Sequence, residues 1–117
     1  MRKDLDRLSD VLDAISAIER YLPGGKAEFD SNELIRVWFL RHLEVIGEAV
    51  ARLSDELRSR HSVIPWRDII GMRNILIHGY FEIDWDRVWL AASRDIPNLK
   101  DRVEAILRDE RTHADGA

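Results

Sequence analysis

The sequence predicts an all-α protein: an antiparallel bundle of four long helices, the last kinked or split near Pro97. Three observations carry this. Apolar residues recur at steps of three and four along nearly the whole chain, the spacing that gathers side chains on one helix face. Strand-like stretches are nearly absent. Gly, Pro and Asp punctuate the chain into segments of helix length.

In the first helix Leu5, Leu8, Leu12, Ile15 and Leu22 share a stripe that Val11 and Ile18 widen, and "PGG" at 23–25 stops it. The second helix should begin at Asp30, which with Glu33 has the form of a capping box. Ile35, Phe39, Leu43, Ile46, Val50, Leu53 and Leu57 continue as one stripe, and Leu34, Val37, Trp38 and Val45 add apolar surface beside it. That is more than one face needs, so this helix is either central or also meets a second copy of the chain. The third helix should run from Pro65, suited to a first helical position, to a Gly79 cap. "YFEI" at 80–83 reads as the following loop. The fourth begins at an Asp84 N-cap, and its stripe of Trp85, Val88, Ala92, Ile96, Leu99, Val103 and Ile106 is interrupted by Pro97. The expected organisation is one domain over 1–111 and a disordered tail over 112–117.

The 117 residues suit a single domain with a real core, and 45% apolar with 34% charged residues is a globular mixture. A net charge of -4 argues against gripping nucleic acid with the whole surface, though a local basic patch stays possible. No cysteine is present, so disulfides and thiolate zinc sites are excluded, in keeping with a reducing cytoplasm. The opening "MRKDLDRLSD" lacks the apolar stretch of a signal peptide, and no run is long enough to span a bilayer.

The chemistry concentrates in "RNILIHGY", 73–80. Trp66, Ile70, Arg73, Ile77 and Tyr80 fall at steps of four and three, which sets Arg73 inside an apolar stripe. A guanidinium there needs a partner: Glu48 or Asp68 in a salt bridge, or a phosphate. His78, five residues on, lies about 140° around and roughly 7.5 Å along a helix from Arg73. Asn74 precedes His78 by four and shares its face. An arginine to hold phosphate and a histidine to move protons suffice for RNA cleavage without a metal. The ribose 2′-OH attacks phosphorus, histidine acts as base or acid, and arginine stabilises the phosphoryl oxygens. On spacing alone, a salt bridge and a helix cap remain the commoner meaning.

"PWRDIIGMRNILIHGYFEID", 65–84, resembles the signature region of the HEPN superfamily, and more narrowly that of HepT-type proteins, the toxin half of bacterial HepT/MntA pairs. That family's motif of Arg, four residues, His, one residue, Tyr is matched by Arg73, His78 and Tyr80, and Asn74 matches the polar residue that often follows the arginine. "RHLEVIGEA" at 41–49 is similar to the family's second helix, and the similarity runs from about residue 4 to residue 107. The resemblance implies an all-α HEPN fold and a homodimer whose two motif helices line one cleft. It implies a metal-independent toxin endoribonuclease with Arg73 and His78 catalytic and Asn74 supporting. It also implies a minimal, MntA-like nucleotidyltransferase antitoxin that silences the toxin by moving AMP from ATP to Tyr80. A non-catalytic HEPN module that binds a nucleotide or scaffolds a nucleotidyltransferase is the alternative.

Elsewhere, His42 reads as a packed, hydrogen-bonded residue, and His61 and His113 as loop and tail positions. No His-Glu-x-x-His or other metal-spaced cluster is visible, so neither a metal nor a cofactor is expected. Gly47 and Gly71 suggest close helix approach. Trp38, Trp85 and Trp89 read as core, while Trp66, on the motif face, and the neighbouring Arg67 are the candidates for RNA contact.

Overall fold

The computed structural model describes residues 2–72, 77–78 and 82–116, with the side chains of 2, 77–78 and 113–116 left out. It is a helical bundle, as the sequence predicts. Helix α1 (Arg2–Glu19) is followed by a 3-10 turn (Leu22–Gly24), α2 (Gly25–Ser31), α3 (Glu33–Ala51), α4 (Asp55–Arg60) and α5 (Trp66–Ile70). Two-residue strands β1 (Ile77–His78) and β2 (Glu82–Ile83) pair antiparallel. Helix α6 (Trp85–Leu90), a π-helical turn (Ala91–Asp95) and α7 (Ile96–Gly116) complete the chain. The backbone is thus helical through 112–116, where the sequence suggested a tail.

Helix α3 is central: it packs along α1 and also meets α2, α5 and α6. Its predicted stripe is the core, with Ile35, Phe39, Leu43, Ile46 and Val50 all buried. Phe29 of α2 joins Phe39 and Trp89, with ring centroids 5.4 and 5.3 Å away. Burying a side chain of this size stabilises by about 1.5–3 kcal/mol, so this cluster anchors the short α2. The apolar surplus on α3 is therefore mostly spent inside the bundle; Leu34 and Val37 stay 81% and 50% exposed.

Four boundaries differ from the expectation, each for a local reason. "PGG" does not open a loop: Gly25, at φ +78°, turns the chain directly into α2. Helix α3 is capped by Asn32, whose side chain accepts from the N–H groups of Leu34 and Ile35. Asp30 belongs to α2, where it pairs with Lys26 at 2.8 Å. The long second helix breaks at 52–54, where Ser54 caps α4 through the Leu57 N–H. Buried Asp4 accepts from the Ser54 N–H and hydroxyl at 2.9 and 2.6 Å, fastening that cap to α1. The third helix does not continue to Gly79. Helix α5 closes on Gly71, and Ile77 and His78 are extended, opposite Ile83 and Glu82. The last two residues of "YFEI" are thus strand rather than loop.

Asp84 is the N-cap of α6, accepting from the Arg87 N–H at 3.1 Å, as expected. The interruption near Pro97 takes the form of the π turn. Proline has no N–H and its ring crowds the carbonyl four residues back. The wider turn just ahead sends the Ile96 N–H to the Ala91 carbonyl, five residues back, and absorbs the defect.

Candidate functional site

The motif segment is entered through a tightly fixed junction. Trp66, the first residue of α5, is only 8% exposed, and its indole N–H donates to the carbonyls of Arg58 and His61, both at 3.1 Å. The structure places this RNA-contact candidate with its ring in the core and its one side-chain polar group hydrogen-bonded within the protein. Arg67 is exposed and lines a shallow groove of about 520 Å³ with Arg58, Ser59 and Ser62. Gly47 of α3 faces α5. A Cβ added there would lie 3.4 Å from the Ile69 carbonyl oxygen.

Arg73, Asn74 and Tyr80 lie outside the described residues, as does the side chain of His78. The His78 backbone is placed by its pairing with Glu82. Met72, immediately before Arg73, lines a groove of about 1240 Å³ between α5 and the α6–π–α7 arm. The groove has apolar walls from Ile64, Ile69, Ile96 and Leu99, and charged groups from Arg87, Arg94 and Arg102 together with Asp68, Asp95 and Asp101.

On the opposite flank of the junction sits a buried carboxylate that the sequence reading missed. Glu110 of α7 is 2% exposed. Arg60 Nη2 donates to Glu110 Oε1 in a short contact and Arg60 Nε to Oε2 at 3.3 Å; His61 Nε2 lies 3.2 Å from Oε2. The Arg60 hydrogen bond holds the Glu110 carboxyl below the usual glutamate range, against the opposing effect of burial, and Arg60 is held above its own. Asp109 joins them, so that His61, Asp109 and Glu110 offer ligand atoms within 4.8 Å of one another. Glu110 is already engaged by a guanidinium, and we read the set as an ion-pair cluster. The available signal was register: Glu110 continues the stripe Val103, Ile106.

The other flagged residues are structural. His42 Nδ1 lies 2.7 Å from the Trp38 carbonyl oxygen and its ring packs on Trp38, as read from the sequence. Trp38 donates to the Ala17 carbonyl at 2.7 Å, and Trp85 and Trp89 pack on Phe29. Among the described residues, no helix is long and apolar enough to cross a membrane.

Comparison with known proteins places these features in a family setting. The family model described as ribonuclease HepT-like matches residues 11–106. The chain is 39% identical over 94 residues to a protein of Caldanaerobacter subterraneus subsp. tengcongensis named as a candidate RNase, covering 80% of this chain and 84% of that one. It is 35% identical over 106 residues to a protein of Thermococcus cleftensis named as a probable ribonuclease HepT, covering 90% and 96%. It is also 40% identical over 79 residues to a Methanocaldococcus jannaschii protein named as a candidate RNase, covering 68% and 72%. No solved structure matches.

Proposed function

Because the chain belongs to the HepT-like ribonuclease family, we propose that it is a metal-independent endoribonuclease, the toxin of a toxin–antitoxin pair working in the cytoplasm. The observation that carries this reading is the complete Arg73-x4-His78-x-Tyr80 motif, lying inside the family match.

In this mechanism a ribose 2′-OH attacks the adjacent phosphorus and the bond to the 5′-oxygen breaks. His78 takes the proton from the nucleophile or returns one to the leaving oxygen. Arg73 donates two parallel N–H bonds to the phosphoryl oxygens as their charge builds. Asn74 supports the site by contacting the imidazole or the substrate, and Arg67 adds a phosphate contact. Cleavage takes place in a homodimer, where motif residues of two chains converge on one substrate.

Control falls to Tyr80. A minimal nucleotidyltransferase moves AMP from ATP to the Tyr80 oxygen: a phosphodiester forms, pyrophosphate leaves, and the phenolic proton is released. The added phosphate then competes with RNA for Arg73 by charge and by volume.

The test is incubation of the purified protein with cellular RNA in EDTA, beside His78→Ala. Wild type should cleave, and the variant should be slower by about 10²–10⁴-fold. Equal cleavage by both would sink the mechanism. No cleavage by folded wild type would favour the non-catalytic scaffold. Tyr80→Phe should retain most activity and resist silencing by the coexpressed transferase. Silencing with Tyr80 unmodified, read by intact mass, would point to inhibition by binding.

A further inference from the structure

Surface arginines of a helical protein commonly pair with a neighbouring carboxylate, and two at the end of α4 do so. Arg58 Nη2 lies 2.7 Å from Asp55 Oδ1, and Arg60 is closed onto Glu110. Arg67 of α5 differs. Among the described residues its side chain has no hydrogen-bond or ion-pair partner, and neither do the hydroxyls of Ser59 and Ser62. These three side chains and Arg58 line the shallow groove across the α4–α5 junction, together with Asp55 and Asp68. The junction is fixed from beneath. The Trp66 indole donates to the Arg58 carbonyl, so the backbone that carries Arg58 is fastened to the residue before Arg67. Donors held in place before a ligand arrives lose less freedom on binding it.

We propose that this groove is a second phosphate subsite for RNA, away from the cleaved bond. Arg58 and Arg67 donate to the oxygens of a backbone phosphate, and the hydroxyls of Ser59 and Ser62 add further donors. The inference rests on the ribonuclease reading above and extends its single Arg67 contact to a built site. Guanidinium groups and hydroxyls suit phosphate oxygens and carry no base preference, so the subsite positions the strand without reading its sequence. The pair of Arg58 with Asp55 is no obstacle. Asp55 is 97% exposed, and exchanging it for a phosphate gives up only a weak surface contact. The two aspartates leave the groove formally neutral. It therefore takes one phosphate of a strand that is also held elsewhere, and does not grip nucleic acid alone. Arg67 precedes Arg73 by six residues, a length of chain that reaches at most about 22 Å. At about 3.4 Å per stacked nucleotide, a strand extending about seven nucleotides from the motif passes both.

The test compares an RNA of about twelve nucleotides, long enough to reach both places, with a dinucleotide that is not. Arg58→Gln combined with Arg67→Gln should lower the preference for the long substrate in kcat/KM by about 10–100-fold, mostly through KM, as expected for lost charge-assisted hydrogen bonds. In a His78→Ala background, where the RNA stays uncut, the slope of log affinity against log salt should become shallower by about 0.7, the value for one phosphate of a single strand. Asp55→Asn releases Arg58 and should tighten the long RNA about threefold, a gain that a misfolded chain does not produce. Should the Arg58 variant misfold by circular dichroism, Ser59→Ala, Ser62→Ala and Arg67→Gln together, all at exposed positions, replace it with the same expected loss. An unchanged salt slope with an unchanged long-to-short preference would overturn the subsite and leave the ribonuclease reading standing. Folded wild type that cleaves neither substrate would remove the ribonuclease reading, and the subsite with it. Variants that hold RNA as wild type does but escape silencing by the coexpressed transferase would assign the groove to a protein partner and likewise overturn the proposal.

Discussion

The two flanks of α5 are built on opposite principles. On the α4 side Trp66 is buried with its N–H shared between two carbonyls, and Glu110 is closed over by Arg60 and His61. On the α6–α7 side the chain leaves an open groove with exposed leucine and valine and solvated charges. Buried polar groups that are fully satisfied hold one arrangement, because every alternative strands a donor or acceptor. An open apolar groove holds no arrangement alone and is available to be covered. Helix α5 is therefore anchored from one side and left open on the other.

Substitutions should separate the flanks sharply. Trp66→Ala should have the largest effect, costing about 3–5 kcal/mol in urea unfolding, since it removes a buried aromatic and the indole donor to the Arg58 and His61 carbonyls. A loss near 1 kcal/mol would show that the closed flank is not the anchor. Acid should come next. The folded Glu110 carboxyl is held below its ordinary range. The stability it contributes is complete above the unfolded glutamate value of about 4.3 and is lost as pH falls through the lower folded value. Glu110→Gln should remove that part of the acid-side slope, and identical slopes would detach Glu110 from it. Ser54→Ala should cost about 1 kcal/mol for the lost cap. It can cost more, because Asp4 loses a donor at the same site. Leu90→Ala should change the stability of the isolated chain by only about 0.5 kcal/mol, its side chain being 44% exposed. A larger loss would mean that the groove edge is part of the monomer's own core.

The contrast also marks what the sequence could reveal. Stripes such as Phe39, Leu43, Ile46 and Val50 were legible because burial repeats with the helical period. The Asp84 cap was legible because its acceptor and donor lie three residues apart. Asn32 was passed over for Asp30 because "DSN" offers several capping side chains within a few residues, and only backbone geometry chooses among them. The paired strands at 77–78 and 82–83 contain too few residues to register a period of two. Glu110 met Arg60 and His61 from about fifty positions away, a separation at which spacing carries no information. Arg73, Asn74, His78 and Tyr80 were identified by motif alone. The structure describes what precedes them in the chain: a pinned Trp66 and a groove that reaches Met72.

The π turn at Ala91–Asp95 has a consequence for the phase of the last arm. A π turn amounts to one residue inserted into an α-helix, and one residue is about 100° of azimuth. Removing a single residue from this turn would restore ordinary winding and rotate α6 about its axis by roughly that angle relative to α7. Arg87 and Leu90 would swing off the groove while Arg94 and Arg102 stayed. The ring of Pro97 would again crowd a carbonyl one turn back. The turn is thus an angular offset written into the helix, and it determines which side chains of α6 share a wall with α5.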